Sequence, residues 1–370
     1  MSYESSAEPI KVGYLMDFLL SDDFPQNRRE DLTNPFDMVF GEALRNGQLD
    51  RPVEIVYREV EGLPKGTVKA VIDAYQELVD EGCLVIFGPS IGDNAVAIRD
   101  AMEARFRVPA ISVTGSDDAL GEWLFAFPMG SHYDEPIFWA DLLAQRDLTD
   151  VGVLVEQSLV GEAYVKNFRK ACRRRGIRIA AELSIAQTAQ DASAAVHTLH
   201  DAKVSAIVHC GFGFGIVFVN PVLAELDWDP PRFAGTAFQN AWINPVMWNA
   251  FMGWTGVDQY DEGNTVGQRF LDEYQQAYGR RPEWCVPVVN RDIALTILHA
   301  ITDAHPLSPR GVKEALERVK MVPAASGAPG TRISFGNWTR RGWMGPGYLV
   351  ARELESDGVN SRLVGRFGEE

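Results

Sequence analysis

The chain has 370 residues, 46% hydrophobic and 23% charged, which excludes a disordered polypeptide and leaves room for about two domains. Its net charge of −16 and isoelectric point near 4.9 repel phosphate backbones and anionic lipid, so nucleic acid and membrane are poor partners by default, with no direct membrane insertion expected. The four cysteines, Cys83, Cys172, Cys210 and Cys285, form no C-x-x-C pair or cluster. They read as isolated buried thiols suited to a reducing compartment, with no metal or cofactor implied.

The opening stretch MSYESSAEPIKVGYLMDF lacks the basic and apolar regions of a secretory signal. No apolar run is long enough for a transmembrane helix. The expectation is therefore a cytoplasmic protein, or a periplasmic or cell-surface one if a native signal has been removed. Residues 10–18 form a strand-like run, followed by a polar insertion, LLSDDFPQNRREDLTN. Asn34 is placed to cap a helix whose first turn holds Pro35 and which closes at Gly47. Strands are expected over 53–60, 83–87, 108–113 and 124–129, and helices over 67–79 and 93–105. The same alternation restarts with strands at 151–155, 177–185, 206–209 and 232–235. Helices at 162–175, 192–202 and 215–226 lie between them. Arg173, Arg174 and Arg175 before Gly176 suit a helix C-terminus. Helices follow over 265–278, 286–304 and 309–319, then a Gly-rich, strand-like tail. This grammar predicts an α/β protein of two Rossmann-like lobes with parallel central sheets, joined by a hinge.

Three motifs could carry chemistry. Gly88-Pro89-Ser90-Ile91-Gly92 is a literal G-x-S-x-G between a strand and a helix, the setting of a hydrolase nucleophile. No HGGG-like donor loop precedes it, and none of the six histidines stands in a matching motif. The alternative is a plain turn at the carboxyl edge of a parallel sheet, where ligands bind, with Asp93 or Asn94 capping the next helix. VHCGFGFGIVFVN lacks the G-x-G-x-x-G spacing of a dinucleotide site. Its Phe212 and Phe214 either face an apolar pocket or pack into the core. His197 and His200, three apart on a helix, have no evident third ligand for a metal and read as a surface or core pair. No catalytic residue is assigned.

The segments FGPSIGDNAVA, RVPAISVTGSDDAL and LFAFPMGSHYDE, followed by VGVLVEQSLVGEAYVKNFRKACRRRG and the tail GTRISFG…GPGYLVARELESDG, together resemble type I periplasmic binding proteins. The similarity is to the leucine/isoleucine/valine-binding branch of ABC-transporter solute-binding proteins and covers nearly the whole chain. The same fold serves cytoplasmic amide sensors. The resemblance implies a three-segment hinge. It assigns residues 9–129 plus 259–327 to one lobe and 130–258 plus 328–366 to the other. It places ligand loops at Ser90, Gly92, Asp93 and Asn94, at Thr114, Gly115 and Ser116, and at Val160. Further loops fall at Phe212 and Phe214 and around Ala237, with Phe238 and Trp242 able to cover a ring or chain. The carboxylate that receives an α-ammonium group in this family would fall near Ala237, where none stands. The arginine usual after the crossover strand is replaced by Pro128 and Met129. The expected function is capture of a small molecule with an apolar or aromatic body and one polar end. An ABC-transporter permease or a regulatory protein is the expected partner.

Overall fold

The computed structural model describes residues 8–22, 24–187 and 190–369. The first lobe runs β1 (Ile10–Met16), α1 (Gln26–Arg45), β2 (Val53–Glu59), α2 (Val68–Asp80), β3 (Val85–Phe87), α3 (Gly92–Ala101), β4 (Ala110–Ser112) and β5 (Leu124–Ala126). The second begins with α4 (Asp134–Gln145) and continues β6 (Asp150–Glu156), α5 (Leu159–Arg175), β7 (Arg178–Ile185), α6 (Ser193–Asp201) and β8 (Ala206–Cys210). It then runs through α7 (Val219–Glu225), β9 (Arg232–Ala234), α8 (Pro245–Phe251) and β10 (Trp254–Asp258). The chain returns to the first lobe with α9 (Thr265–Tyr278), α10 (Val286–Asp303), α11 (Pro309–Leu316) and the small pair β11 (Val322–Pro323) and β12 (Arg332–Ile333). It ends on the second lobe with β13 (Val350–Leu354) and β14 (Ser361–Arg366).

Local chemistry accounts for many of these boundaries. The Thr67 hydroxyl accepts the Ala70 N–H at the start of α2, and the Ser158 hydroxyl accepts the Gly161 N–H at the start of α5. Gly176, at φ 70°, ends α5 in the left-handed conformation that suits glycine. The short strands β3, β4 and β5 are buried at every position, as strands covered on both faces of a parallel sheet must be.

The sheet order is β2-β1-β3-β4-β5 in the first lobe and β14-β13-β10-β9-β8-β6-β7 in the second. The pairs of the first sheet are parallel. So are those from β7 to β10, while β13 and β14 extend the second sheet antiparallel. Each lobe therefore reverses direction beside its first strand, between β1 and β3 and between β6 and β8. These are the switch points at which open α/β sheets bind ligands.

Two expectations are corrected. Helix α1 starts at Gln26, so Asn34 and Pro35 lie inside it rather than at its start. The cause is tertiary. Buried Asp31 accepts hydrogen bonds from the Tyr274 hydroxyl at 2.8 Å and the Trp284 indole N–H at 2.7 Å, and Asn34 donates to Tyr274. Within the polar insertion, Arg28, Asp31 and Asn34 are thus buried against the α9–α10 region. The third crossing also lies later than expected. Ala126 bridges Arg341, and Ile333 bridges Trp343, so the chain up to these residues belongs to the first lobe. It crosses near Gly345–Tyr348, where the Tyr348 hydroxyl donates to Asp134 at 2.8 Å and Arg341 donates to Ser131 at 2.8 Å.

Candidate functional site

Asp17 directly follows β1 and is fully buried at the first switch point. Its carboxylate accepts the N–H groups of Ser90 at 2.7 Å and Ile91 at 3.0 Å, and the Asn94 amide at 2.7 Å. Burial raises its pKa, and these three bonds work against that rise. Asn94 is held further by Leu63, whose N–H it accepts at 2.9 Å. Neither Asp93 nor Asn94 caps α3 through its side chain. Asp17 reaches the helix end from the neighbouring strand instead. Gly88 has φ 109°, and a Cβ there would lie 2.2 Å from the Leu15 carbonyl oxygen, so the turn needs glycine.

The second switch point repeats this design. Glu156, the last residue of β6, is fully buried. It accepts the N–H groups of Phe212 at 2.5 Å, Gly213 at 3.0 Å and Gly215 at 3.4 Å, with His209 Nε2 at 3.3 Å. Burial pushes its pKa up. His209 and the backbone donors more than offset that, so the carboxyl lies below its ordinary value and is ionised at neutral pH.

The two carboxyl edges meet at the first crossing. The His132 N–H donates to the Gly115 carbonyl at 3.1 Å, and the His132 carbonyl accepts from Asn167 on α5 at 2.7 Å. Gly115 packs directly on the crossing, since a Cβ there would stand 1.7 Å from the Gly130 oxygen. A Cβ on Gly92 would lie 3.4 Å from Thr114 Oγ1, 3.9 Å from Ser116 Cβ and 4.0 Å from His132 Cε1. The second and first ligand loops therefore converge on His132. Burial lowers the His132 pKa to about 4, leaving a neutral ring with one donor and one acceptor at neutral pH. Its ring packs edge-on against Tyr164 at 5.0 Å. The Tyr164 hydroxyl donates to buried Glu135 at 2.9 Å, and the Thr236 N–H donates to the same oxygen at 3.0 Å. Desolvation raises the Glu135 pKa to about 7.

The structure separates the residues expected from sequence. Ser90, Gly92, Asp93, Asn94, Thr114, Gly115 and Ser116 lie on the first lobe's edge. Val160, Phe212, Phe214 and Ala237 lie on the second lobe's edge, at the ends of β6, β8 and β9. Phe214 is 44% exposed and Phe212 half-buried. Phe238 and Trp242 are corrected to core positions. Phe238 has no accessible surface, packs over Gly256 and meets Trp242 and Phe251 edge-on. Trp242 spends its indole N–H on the Val359 carbonyl at 3.1 Å. A ring facing an open site would keep accessible area, so burial under α8 decides against ligand contact. His132, Glu135, Glu156 and Tyr164 were missed from sequence. The local sign was a carboxylate at the end of each lobe's first strand.

Ser90 does not have the backbone of a nucleophile elbow. The positive φ of this turn is at Gly88 and not at the serine, whereas an elbow strains the serine itself. The Ser90 N–H is taken by Asp17. Two open hollows of about 700 and 950 Å3 flank the exposed Trp338 but lie outside the facing sheet edges.

Two α/β lobes with facing carboxyl edges and three chain crossings define a binding protein of the type I class. The periplasmic binding protein family model matches residues 9–346, and the chain belongs to that family. No curated protein matches it. Its fold is similar to that of a type 1 periplasmic binding protein from Bordetella pertussis Tohama I, with a TM-score of 0.78, 20% identity, and coverage of 97% of this chain and 100% of that one. A leucine binding protein from Thermotoga maritima MSB8 gives a TM-score of 0.74 at 15% identity, covering 96% and 98%. A fatty acid ABC transporter substrate-binding protein from Thermomonospora curvata gives 0.76 at 15% identity, covering 98% and 93%. Among the described residues no helix is long and apolar enough to cross a membrane.

Proposed function

We propose that this protein is a non-enzymatic solute receptor. It closes its lobes on a small molecule with an apolar or aromatic body and one polar end, and delivers it to an ABC-transporter permease. The carrying observation is the missing acceptor for an α-ammonium group. The stretch around Ala237 holds no carboxylate. The nearby Glu135 is fully buried, and Thr236 and Tyr164 already occupy its oxygens. A buried ammonium without a paired acceptor costs several kcal/mol, roughly cancelling the gain from apolar burial. The leucine-binding and fatty-acid-binding proteins of the same fold support transport as the role. The missing acceptor sets this site apart from one for a free amino acid.

The test combines calorimetry with scattering. Free leucine should bind weakly, and a ligand found by thermal shift should reduce the radius of gyration as the lobes close. Micromolar binding of leucine would show that an acceptor exists, and an unchanged radius at saturating ligand would remove lobe closure. Phe214→Ala should weaken the ligand so identified by about 1–3 kcal/mol, the value of one buried apolar contact. The melting temperature should hardly change, because the ring is largely exposed in the protein alone. Equal affinity in the variant would place Phe214 outside the site.

A further inference from the structure

We infer that Trp284 is a latch between the lobes. Its indole N–H is fixed to the first lobe, its ring seats in the core of the second, and the contact holds part of the ligand-free population closed. The latch acts on the closure equilibrium and serves a ligand of any polarity.

Trp284 stands between α9 and α10, elements of the first lobe. Its indole N–H donates to buried Asp31 on α1 at 2.7 Å. Asp31 also accepts from Arg280 at 2.7 Å and from the Tyr274 hydroxyl at 2.8 Å. The Arg28 guanidinium lies over the ring at 5.4 Å and pairs with Glu283 at 3.1 Å. These partners lie on α1 or between the start of α9 and α10, so the indole moves with the first lobe.

The ring itself packs elsewhere. It belongs to an apolar cluster whose other buried members, among them Phe238, Trp242, Phe251 and Leu354, all come from the second lobe. Phe24, just before α1, packs against the same cluster. Trp284 is only 5% exposed. The next residue, Cys285, has no accessible surface, and its Sγ lies 3.8 Å from Gln239 Oε1. Gln239 stands in the helical turn 236–242 of the second lobe.

The two sides of the ring differ in chemistry, and that makes the contact reversible. The polar groups around the indole N–H satisfy one another within the first lobe, so they stay paired when the lobes part. Only apolar area returns to water, and its hydrophobic cost favours the closed form. Trp284 is thus a positioning residue. It raises affinity through the fraction of molecules in the closed, competent form, without touching the ligand.

The experiment uses the full chain without ligand. Labelling of each cysteine by N-ethylmaleimide is followed by mass spectrometry, and the radius of gyration by scattering. Cys83, Cys172 and Cys210 are buried within single lobes and serve as controls. In the wild type, at urea concentrations below the unfolding transition, Cys285 should react before the other three, because parting of the lobes uncovers it while each core stays intact. Trp284→Ala should speed Cys285 labelling by roughly tenfold or more, the effect of losing one large apolar contact, and should enlarge the radius. Trp284→Phe keeps an apolar ring but loses the N–H, and should stay near the wild type in both measurements. Wild-type labelling of all four cysteines together, only through the unfolding transition, overturns the latch whether or not Trp284→Ala folds. A Trp284→Ala protein with the wild-type radius and Cys285 rate overturns it too, as does a Trp284→Phe protein that matches Trp284→Ala. None of these outcomes depends on a ligand, so each leaves the receptor reading to its own test.

Discussion

Glu156→Ala should destabilise the protein by about 3–5 kcal/mol, the usual consequence of removing one partner from a buried charged network. The carboxylate accepts three backbone N–H groups from the turn after β8 and lies 3.3 Å from the buried His209. Alanine leaves those donors unpaired, at about 1–3 kcal/mol for each one that water cannot reach. The turn carries Phe212 and Phe214, so it should loosen and ligand affinity should fall with stability. Glu156→Gln keeps one acceptor oxygen and should lose less. The pH dependence follows from the lowered pKa of Glu156. A depressed carboxylate pKa contributes stability above the unfolded value and loses it as pH falls through the folded value. The gap between wild type and Glu156→Ala should therefore be full at neutral pH and shrink below the ordinary value of 4.5. Urea denaturation at neutral and acidic pH checks this, and a gap that does not change with pH would mean that Glu156 is not ionised in the native state.

Glu135→Gln should have the opposite pH profile. Glu135 is buried with no cation paired to it among the described residues, and its pKa is raised from 4.5 to about 7. A raised carboxyl pKa contributes stability that is present below the unfolded value and lost as pH rises through the folded one. Wild type should weaken between these values as the buried group is forced to ionise. The variant stays neutral and avoids that loss. Glutamine can keep its carbonyl on the Tyr164 hydroxyl and Thr236 N–H, and its amide can donate to Thr236 Oγ1. Above neutral pH the variant should be the more stable by on the order of 3 kcal/mol, because a tenfold change in a proton-binding constant corresponds to about 1.4 kcal/mol. Below the ordinary carboxylate range the difference should vanish. Melting temperatures of both proteins from acidic to alkaline pH decide it, since parallel curves would show that Glu135 does not titrate in this range.

Glu156 stands in a stretch whose fold was readable and Glu135 in a helix that was not, and neither was legible as part of the site. LVEQSLVGE shows a strand followed by a helix, which the structure starts at Leu159 behind the Ser158 cap rather than at Glu162. Nothing within it shows that Glu156 will meet a turn 56 residues later. Asp17 likewise meets Ser90 and Asn94 across 73 and 77 residues. His132 has no motif of its own. It matters because the first crossing sets its backbone between Gly115 and Asn167.

The sequence by itself determined what short-range physics controls. Alternating apolar runs and amphipathic stretches specify the strands and helices. Thr67 and Gly176 mark helix ends, and the repeated β–α grammar implies two lobes with parallel sheets. Tertiary structure alone decided whatever depends on a distant partner. The polar residues before Phe36 became helix because Asp31 and Asn34 are paired with Tyr274 and Trp284. Helices α4 and α8 and strand β10 went unread because adjoining apolar and Gly/Pro-containing stretches blurred the period. The tail stayed with the first lobe to Trp343 because its bridges lie beside β5 and β12. Two of the three phenylalanines at the expected ligand loops parted in the same way. Phe238 was drawn into the core by the space over Gly256, while Phe214 stayed exposed at the edge, because a hydrophobic side chain goes where a cavity of its shape exists, and local sequence does not encode that cavity.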